Sequence, residues 1–183
     1  MLKELLKKHN LILASGSPRR QQFFRDLDVD FTIKLKEVEE IYPDHLKGSE
    51  ISDYLAALKS NAFTELQAND ILVTSDTIVW HQNTALGKPK NVQHAKEMIA
   101  SLSDNTHQVI TSVCLKTVHT TKIINQTTKV TFKSLTTEEI DYYVDTFSPM
   151  DKAGAYGIQE WIGHIGITPV SYTHLTLPTT PYV

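Results

Sequence analysis

The segment Ala14-Ser15-Gly16-Ser17-Pro18-Arg19-Arg20 follows directly on the apolar run Leu11-Ile12-Leu13. A strand that breaks into small residues and then opens a helix leaves free backbone amides at its end. Pro18 suits the first helical position, where its missing N–H costs nothing and its φ is already helical. Ser17 suits the N-cap before it. Helix electrostatics favour acidic residues in a first turn, yet this one carries Arg19 and Arg20. Amides and two guanidinium groups together predict a local site for a phosphate or another polyanion.

Carboxylates are the second ingredient. Asp76 stands in Leu72-Val73-Thr74-Ser75-Asp76-Thr77-Ile78-Val79, an apolar strand with a polar interruption. A buried carboxylate needs a metal, a cation or a water to act on. Asp76 is therefore either a general base or metal ligand, or the residue of an Asx-type turn at a strand break. Glu37, Glu39 and Glu40 form an acidic cluster that reads as a solvated face or as oxygen donors for Mg²⁺ beside phosphate. Lys88 lies in the stiff turn Gly87-Lys88-Pro89. Lys59 borders the apolar face of a helix, where it either snorkels or meets a ligand. In Asp151-Lys152-Ala153-Gly154-Ala155-Tyr156-Gly157-Ile158-Gln159 the small residues allow close backbone approach. There Lys152 suits phosphate, and the amide of Gln159 can donate and accept on a base edge. His107 opens a strand and reads as a structural hydrogen-bonder. No zinc-type spacing and no Walker pattern occurs.

These residues need a scaffold of alternating strands and helices. Helices are predicted over residues 1–9, 18–27, 49–67, about 92–102 and from the capping box Thr136/Glu139 onward. Strands are predicted over 11–15, 31–36, 71–80 (interrupted at 74–77), 107–118 and 122–135, the last two as a hairpin. Residues 83–87 read as a turn. The fold class is α/β: a single domain over residues 1–168 with a mixed twisted sheet flanked by helices. Residues 169–183, with three prolines and no periodicity, read as an atypical, disordered or non-native tail.

Bulk properties narrow the function. At 183 residues the chain can bury one sizeable core, and a net charge of -3 gives no basic field for nucleic acid. Its one cysteine, Cys114, excludes an intramolecular disulfide framework and reads as a strand core residue. The N-terminal apolar run is too short for a signal peptide or a membrane span, so the cytoplasm is the expected location.

In order, Ser15-Gly16-Ser17-Pro18-Arg19-Arg20, Ser75-Asp76-Thr77-Ile78-Val79, Gly87-Lys88-Pro89, His107-x-Val109-x-Thr111 and Asp151 to Gln159 resemble the Maf family of nucleotide pyrophosphatases. The resemblance implies an α/β fold related to inosine-triphosphate pyrophosphatases. It also implies hydrolysis of a nucleoside triphosphate to the monophosphate and pyrophosphate with a divalent cation, Mg²⁺ or Mn²⁺, clearing non-standard or surplus nucleotides. By motif, Asp76 matches the proton acceptor, and Arg19, Thr77 and Gln159 match positions for substrate choice. Ser15, Lys59, Lys88 and Lys152 match substrate contacts, and Glu40 with Asp76 the metal site. The Ser-Asp-Thr and Tyr-Gly-Ile-Gln versions resemble the dTTP/UTP branch rather than the 7-methyl-GTP branch. The family's usual ending has only faint echoes in Ser171-Tyr172 and Leu177-Pro178. The alternative expectation is a catalytically impaired nucleotide-binding regulator. The expected partners are the nucleotide and at most a second copy in a homodimer, with no nucleic acid and no membrane.

Overall fold

Two periodicities govern the chain: runs buried on both faces become strands, and stripes spaced by three and four residues become helices. The structure, a computed structural model, describes residues 2–168 and the backbone of 171–173. The helices are α1 (Leu2–Leu6), α2 (Pro18–Asp26), α3 (Ser49–Asn61), α4 (Val92–Leu102), α5 (Thr137–Phe147) and α6 (Trp161–Gly166), with a 3₁₀ turn at Ala153–Ala155. The strands are β1 (Asn10–Leu13), β2 (Thr32–Ile33), β3 (Asp70–His81), β4 (Thr84–Leu86), β5 (Thr106–Lys116), β6 (Thr121–Thr131) and β7 (Ser171–Thr173). They pair in the order β2-β1-β3-β5-β6-β7, with β4 on β3. β1 is parallel to β2 and β3, whereas β4 and β7 pair antiparallel, so the α/β fold has the mixed sheet expected of it.

The chain forms two compact units, Met1–Thr77 with Thr111–Asn125, and Ile78–Ile110 with Gln126–Val183. In the first, β1 sends alternate residues to opposite faces. Leu11 and Leu13 join Val29 and Val73, with Phe24 and Phe31 packed on them, while Ile12 joins Phe63 and Leu72. Burial on both faces explains the unbroken apolar run. In the second unit Ala95, Met98, Ile99 and Leu102 of α4 share a core with Ile140, Tyr143 and Val144 of α5. Asn91 caps α4 by accepting from the His94 amide at 2.8 Å. The capping box of α5 is complete in both directions, Glu139 N–H to Thr136 Oγ1 at 3.2 Å and Thr136 N–H to Glu139 Oε2 at 2.9 Å.

Several boundaries differ from those read in the sequence. β3 runs without interruption through Thr74–Thr77, because each polar residue finds a partner there. β2 is confined to two residues, and α3 stops at Asn61, after which Phe63 turns into the core with Ile12 and Leu72. The segment read as a turn at 83–87 contains β4. Gln82 and Asn83, at φ 47° and 60°, make a two-residue loop that returns the chain onto β3. Of the expected tail at 169–183, all but the backbone of Ser171–Thr173 lies outside the described residues, and that stretch pairs with Thr127–Lys129 of β6. No helix among the described residues is long and apolar enough to cross a membrane.

Candidate active site

Asp76 sits in the middle of β3 and is buried. The strand around it is held on both sides. Thr74 Oγ1 donates to the Ala56 carbonyl at 2.6 Å, which ties α3 to β3. One helical turn past Ala56 lies Lys59, and its ammonium donates to Asp76 Oδ1. The same ammonium lies 3.0 Å from Glu40 Oε1, so one cation is shared by two carboxylates. Arg20 reaches the strand from α2, donating from Nη1 to the Ser75 carbonyl at 3.0 Å and from Nη2 to Thr77 Oγ1 at 3.2 Å. Thr77 Oγ1 also shares a hydrogen bond of 3.0 Å with Thr111 Oγ1.

Burial pushes the Asp76 carboxyl above the usual carboxylate range. Lys59 and Arg20 oppose that rise, and Glu40 reinforces it. Burial also works against the charge of Arg20, which Asp76 supports. The outcome is a carboxylate of raised proton affinity beside one ammonium and one guanidinium. That set can take a proton from water and neutralise an anion.

Within the first unit the structure therefore brings together Asp76, Thr77, Lys59 and Glu40. Ser15 is buried at the end of β1, its Oγ accepting from the Ser17 amide at 3.2 Å. Ser17 occupies the N-cap of α2 but makes no side-chain cap bond. Arg19 is exposed, and it is Arg20 that turns toward β3. Arg20 entered the sequence reading only as half of an arginine pair, because nothing in the residue order tells which of two neighbours faces inward. Glu37 and Glu39 are exposed, and Glu40 alone of the three has a described ion pair with Lys59.

The remaining candidates belong to the second unit. The Gly154 amide donates to the Gly87 carbonyl at 3.0 Å, joining the Gly-Lys-Pro turn to the 151–159 loop. Gly154 has φ +68°, and a Cβ there would stand 2.8 Å from Val79 Cγ2. Lys88 and Gln159 are exposed. Lys152 is buried, 2.9 Å from Asp151 Oδ1 and 3.2 Å from Glu160 Oε1. Glu160 and Tyr143, which complete this arrangement, were missed because they fall outside the motifs. His107 is structural: its Nε2 and the Tyr156 hydroxyl share a 2.7 Å hydrogen bond in the core.

Among the described residues no group of three or more His, Cys, Asp or Glu could hold a metal. The donor set that does converge is Glu40 and Asp76, already directed at one cationic group. Two hard oxygen donors fit Mg²⁺ or Mn²⁺, which complete their coordination with water and phosphate oxygens.

The comparisons agree with the family resemblance of the motifs. Residues 10–177 match the family described as Maf-like protein. The chain belongs to the Maf family. A dTTP/UTP pyrophosphatase of Flavobacterium johnsoniae is 63% identical over 183 residues, covering 98% of this Maf-family chain and 94% of that protein. The dTTP/UTP pyrophosphatase of Flavobacterium psychrophilum is 57% identical, with the same coverage. One from Christiangramia forsetii is 51% identical over 99% of this chain and 93% of its own. Among solved structures, the Ham1 protein of Staphylococcus aureus overlaps 67% of this chain and 71% of its own, at 16% identity and a TM-score of 0.49.

Proposed function

We propose that this Maf-family chain hydrolyses nucleoside triphosphates, dTTP and UTP by preference, to the monophosphate and pyrophosphate. The observation that carries the reading is the buried Asp76, held with Lys59 and Arg20 beside it on a continuous strand. The names of the relatives at 51–63% identity support the same chemistry and substrate. An intact carboxylate with both cations in place favours an enzyme over a regulator that has lost catalysis.

Asp76 accepts the proton of a water that attacks the α-phosphorus, and the pyrophosphate leaves from the opposite side. Lys59 and Arg20 place positive charge where negative charge develops on the phosphate oxygens. Ser15 contributes its hydroxyl and the amides of the following turn. Following the family's motifs, Lys88 and Lys152 bind phosphate, while Arg19, Thr77 and Gln159 select the substrate. Gln159 can pair its amide with O4 and N3–H of thymine or uracil. Glu40 and Asp76 would hold a divalent cation, which supplies further charge neutralisation when bound. The buried lone thiol of Cys114 suits the reducing cytoplasm.

The test is product analysis. With dTTP and Mg²⁺ the chain yields dTMP and pyrophosphate, whereas dTDP and orthophosphate would overturn the site of attack. Rates for dTTP and UTP exceed those for dATP, dGTP and 7-methyl-GTP, and Gln159→Ala narrows the gap. Comparable kcat/KM for 7-methyl-GTP and dTTP would contradict the assigned base choice.

A further inference from the structure

Loop 152–160 carries two of the proposed nucleotide contacts, Lys152 and Gln159, and the side chain of Gln159 is exposed at its turn. The ring of Tyr143 is fully buried on α5 and stacked on Phe147, with centroids 5.2 Å apart. Its hydroxyl accepts from the Gly157 amide at 3.0 Å and donates to Glu160 Oε2. The other carboxylate oxygen, Glu160 Oε1, lies 3.2 Å from the Lys152 ammonium. A phenol has one proton to give, and here it goes to the carboxylate while a lone pair takes the amide. One tyrosine and one glutamate thus pin the loop at its start, its middle and its end.

Two details show that the loop is built around this pair. A Cβ on Gly157 would stand 2.8 Å from Glu160 Cδ, so the glycine leaves the space that the carboxylate fills. The Glu160 amide also donates to the Gly157 carbonyl at 3.0 Å, closing a tight turn across residues 157–160. Gln159 lies inside that turn with its side chain exposed. Its backbone is consequently placed by bonds that involve none of its own side-chain atoms.

We infer that Tyr143 and Glu160 are positioning residues that set loop 152–160 and thereby the discrimination between bases by Gln159. The inference rests on the proposed role of Gln159 and goes beyond it, because neither residue is among the proposed nucleotide contacts. A hydrogen-bonding edge discriminates only while donor and acceptor stay in register with the base, and a displacement near 1 Å can cost up to roughly 10²-fold.

The experiment measures dTMP and dGMP binding by calorimetry, dTTP hydrolysis and thermal melting, on the full chain and on Tyr143→Phe, Glu160→Ala and Glu160→Gln. Tyr143→Phe and Glu160→Ala weaken dTMP about tenfold more than dGMP, any loss through the phosphate contact of Lys152 being common to both, so the base preference shrinks. KM for dTTP rises by a larger factor than kcat falls. Glu160→Gln, which still accepts from Tyr143, restores most of the preference. An unchanged dTMP-to-dGMP ratio in both Tyr143→Phe and Glu160→Ala, with the parent protein cleaving dTTP, overturns the inference alone. Equal loss of both nucleotides, or unfolding of both variants at the assay temperature, also overturns it by reducing the pair to a fold element. A parent protein that neither binds dTMP nor cleaves dTTP overturns the functional reading together with the inference.

Discussion

Asp76 was legible as a chemical residue because a carboxylate inside an apolar run has to be satisfied by something. What satisfies it was not legible. Lys59 comes from a helix 17 positions earlier and Arg20 from another 56 earlier, and no local pattern encodes either approach. Asp76→Asn preserves shape and removes the proposed base. Turnover of dTTP should fall by roughly 10²–10⁴-fold with nucleotide binding retained, and near-normal turnover would exclude Asp76 as the base. The pH profile gives a second check. Asp76 accepts a proton only when ionised, and burial raises its carboxyl, so kcat/KM should decline on the acid side at a pH above the ordinary carboxylate value of 3.8. Lys59 lowers that value, so Lys59→Met should move the acid limb to still higher pH. An acid limb that stays in place, measured at fixed metal concentration, would show that Asp76 is not the titrating group.

At the scale of elements, caps and periodicity served well where both were present. α4 and α5 begin where Asn91 and Thr136 cap them, and each buries one apolar stripe. The sequence reading failed where tertiary partners override local character. Thr74–Thr77 looked like a break, but bonds to Ala56, Arg20, Lys59 and Thr111 keep β3 whole. β4 was hidden because Gln82 is not a residue that announces a reverse turn, although it adopts φ 47° there. The Gly-rich loop was legible, and its reason lies in the second unit's core. Gly154→Ala should destabilise the protein by about 1–3 kcal/mol in denaturant titration, through positive φ and the clash with Val79. A change below about 0.5 kcal/mol, the range of neutral surface substitutions, would contradict that packing.

For the molecule as a whole, pH dependence of stability has an identifiable source in the core of the second unit. His107 is fully enclosed, sharing a hydrogen bond with Tyr156 and standing edge-on to His81 and Phe132, with no partner among the described residues for its Nδ1. Burial, helped by His81, holds it down to about 4 from the ordinary 6.5. Between those values the unfolded chain binds a proton that the folded chain refuses. Stability from this group is therefore complete above pH 6.5 and is lost as pH falls toward 4, by about 3 kcal/mol at most. His107→Gln should flatten that part of a stability-versus-pH curve, and an unaltered slope would place its origin elsewhere. The catalytic claim rests on where the water attacks. Hydrolysis of dTTP in ¹⁸O-enriched water, followed by mass spectrometry of both products, reads this directly. Attack at the α-phosphorus, assisted by Asp76, predicts label in dTMP and none in pyrophosphate; label in pyrophosphate would contradict it.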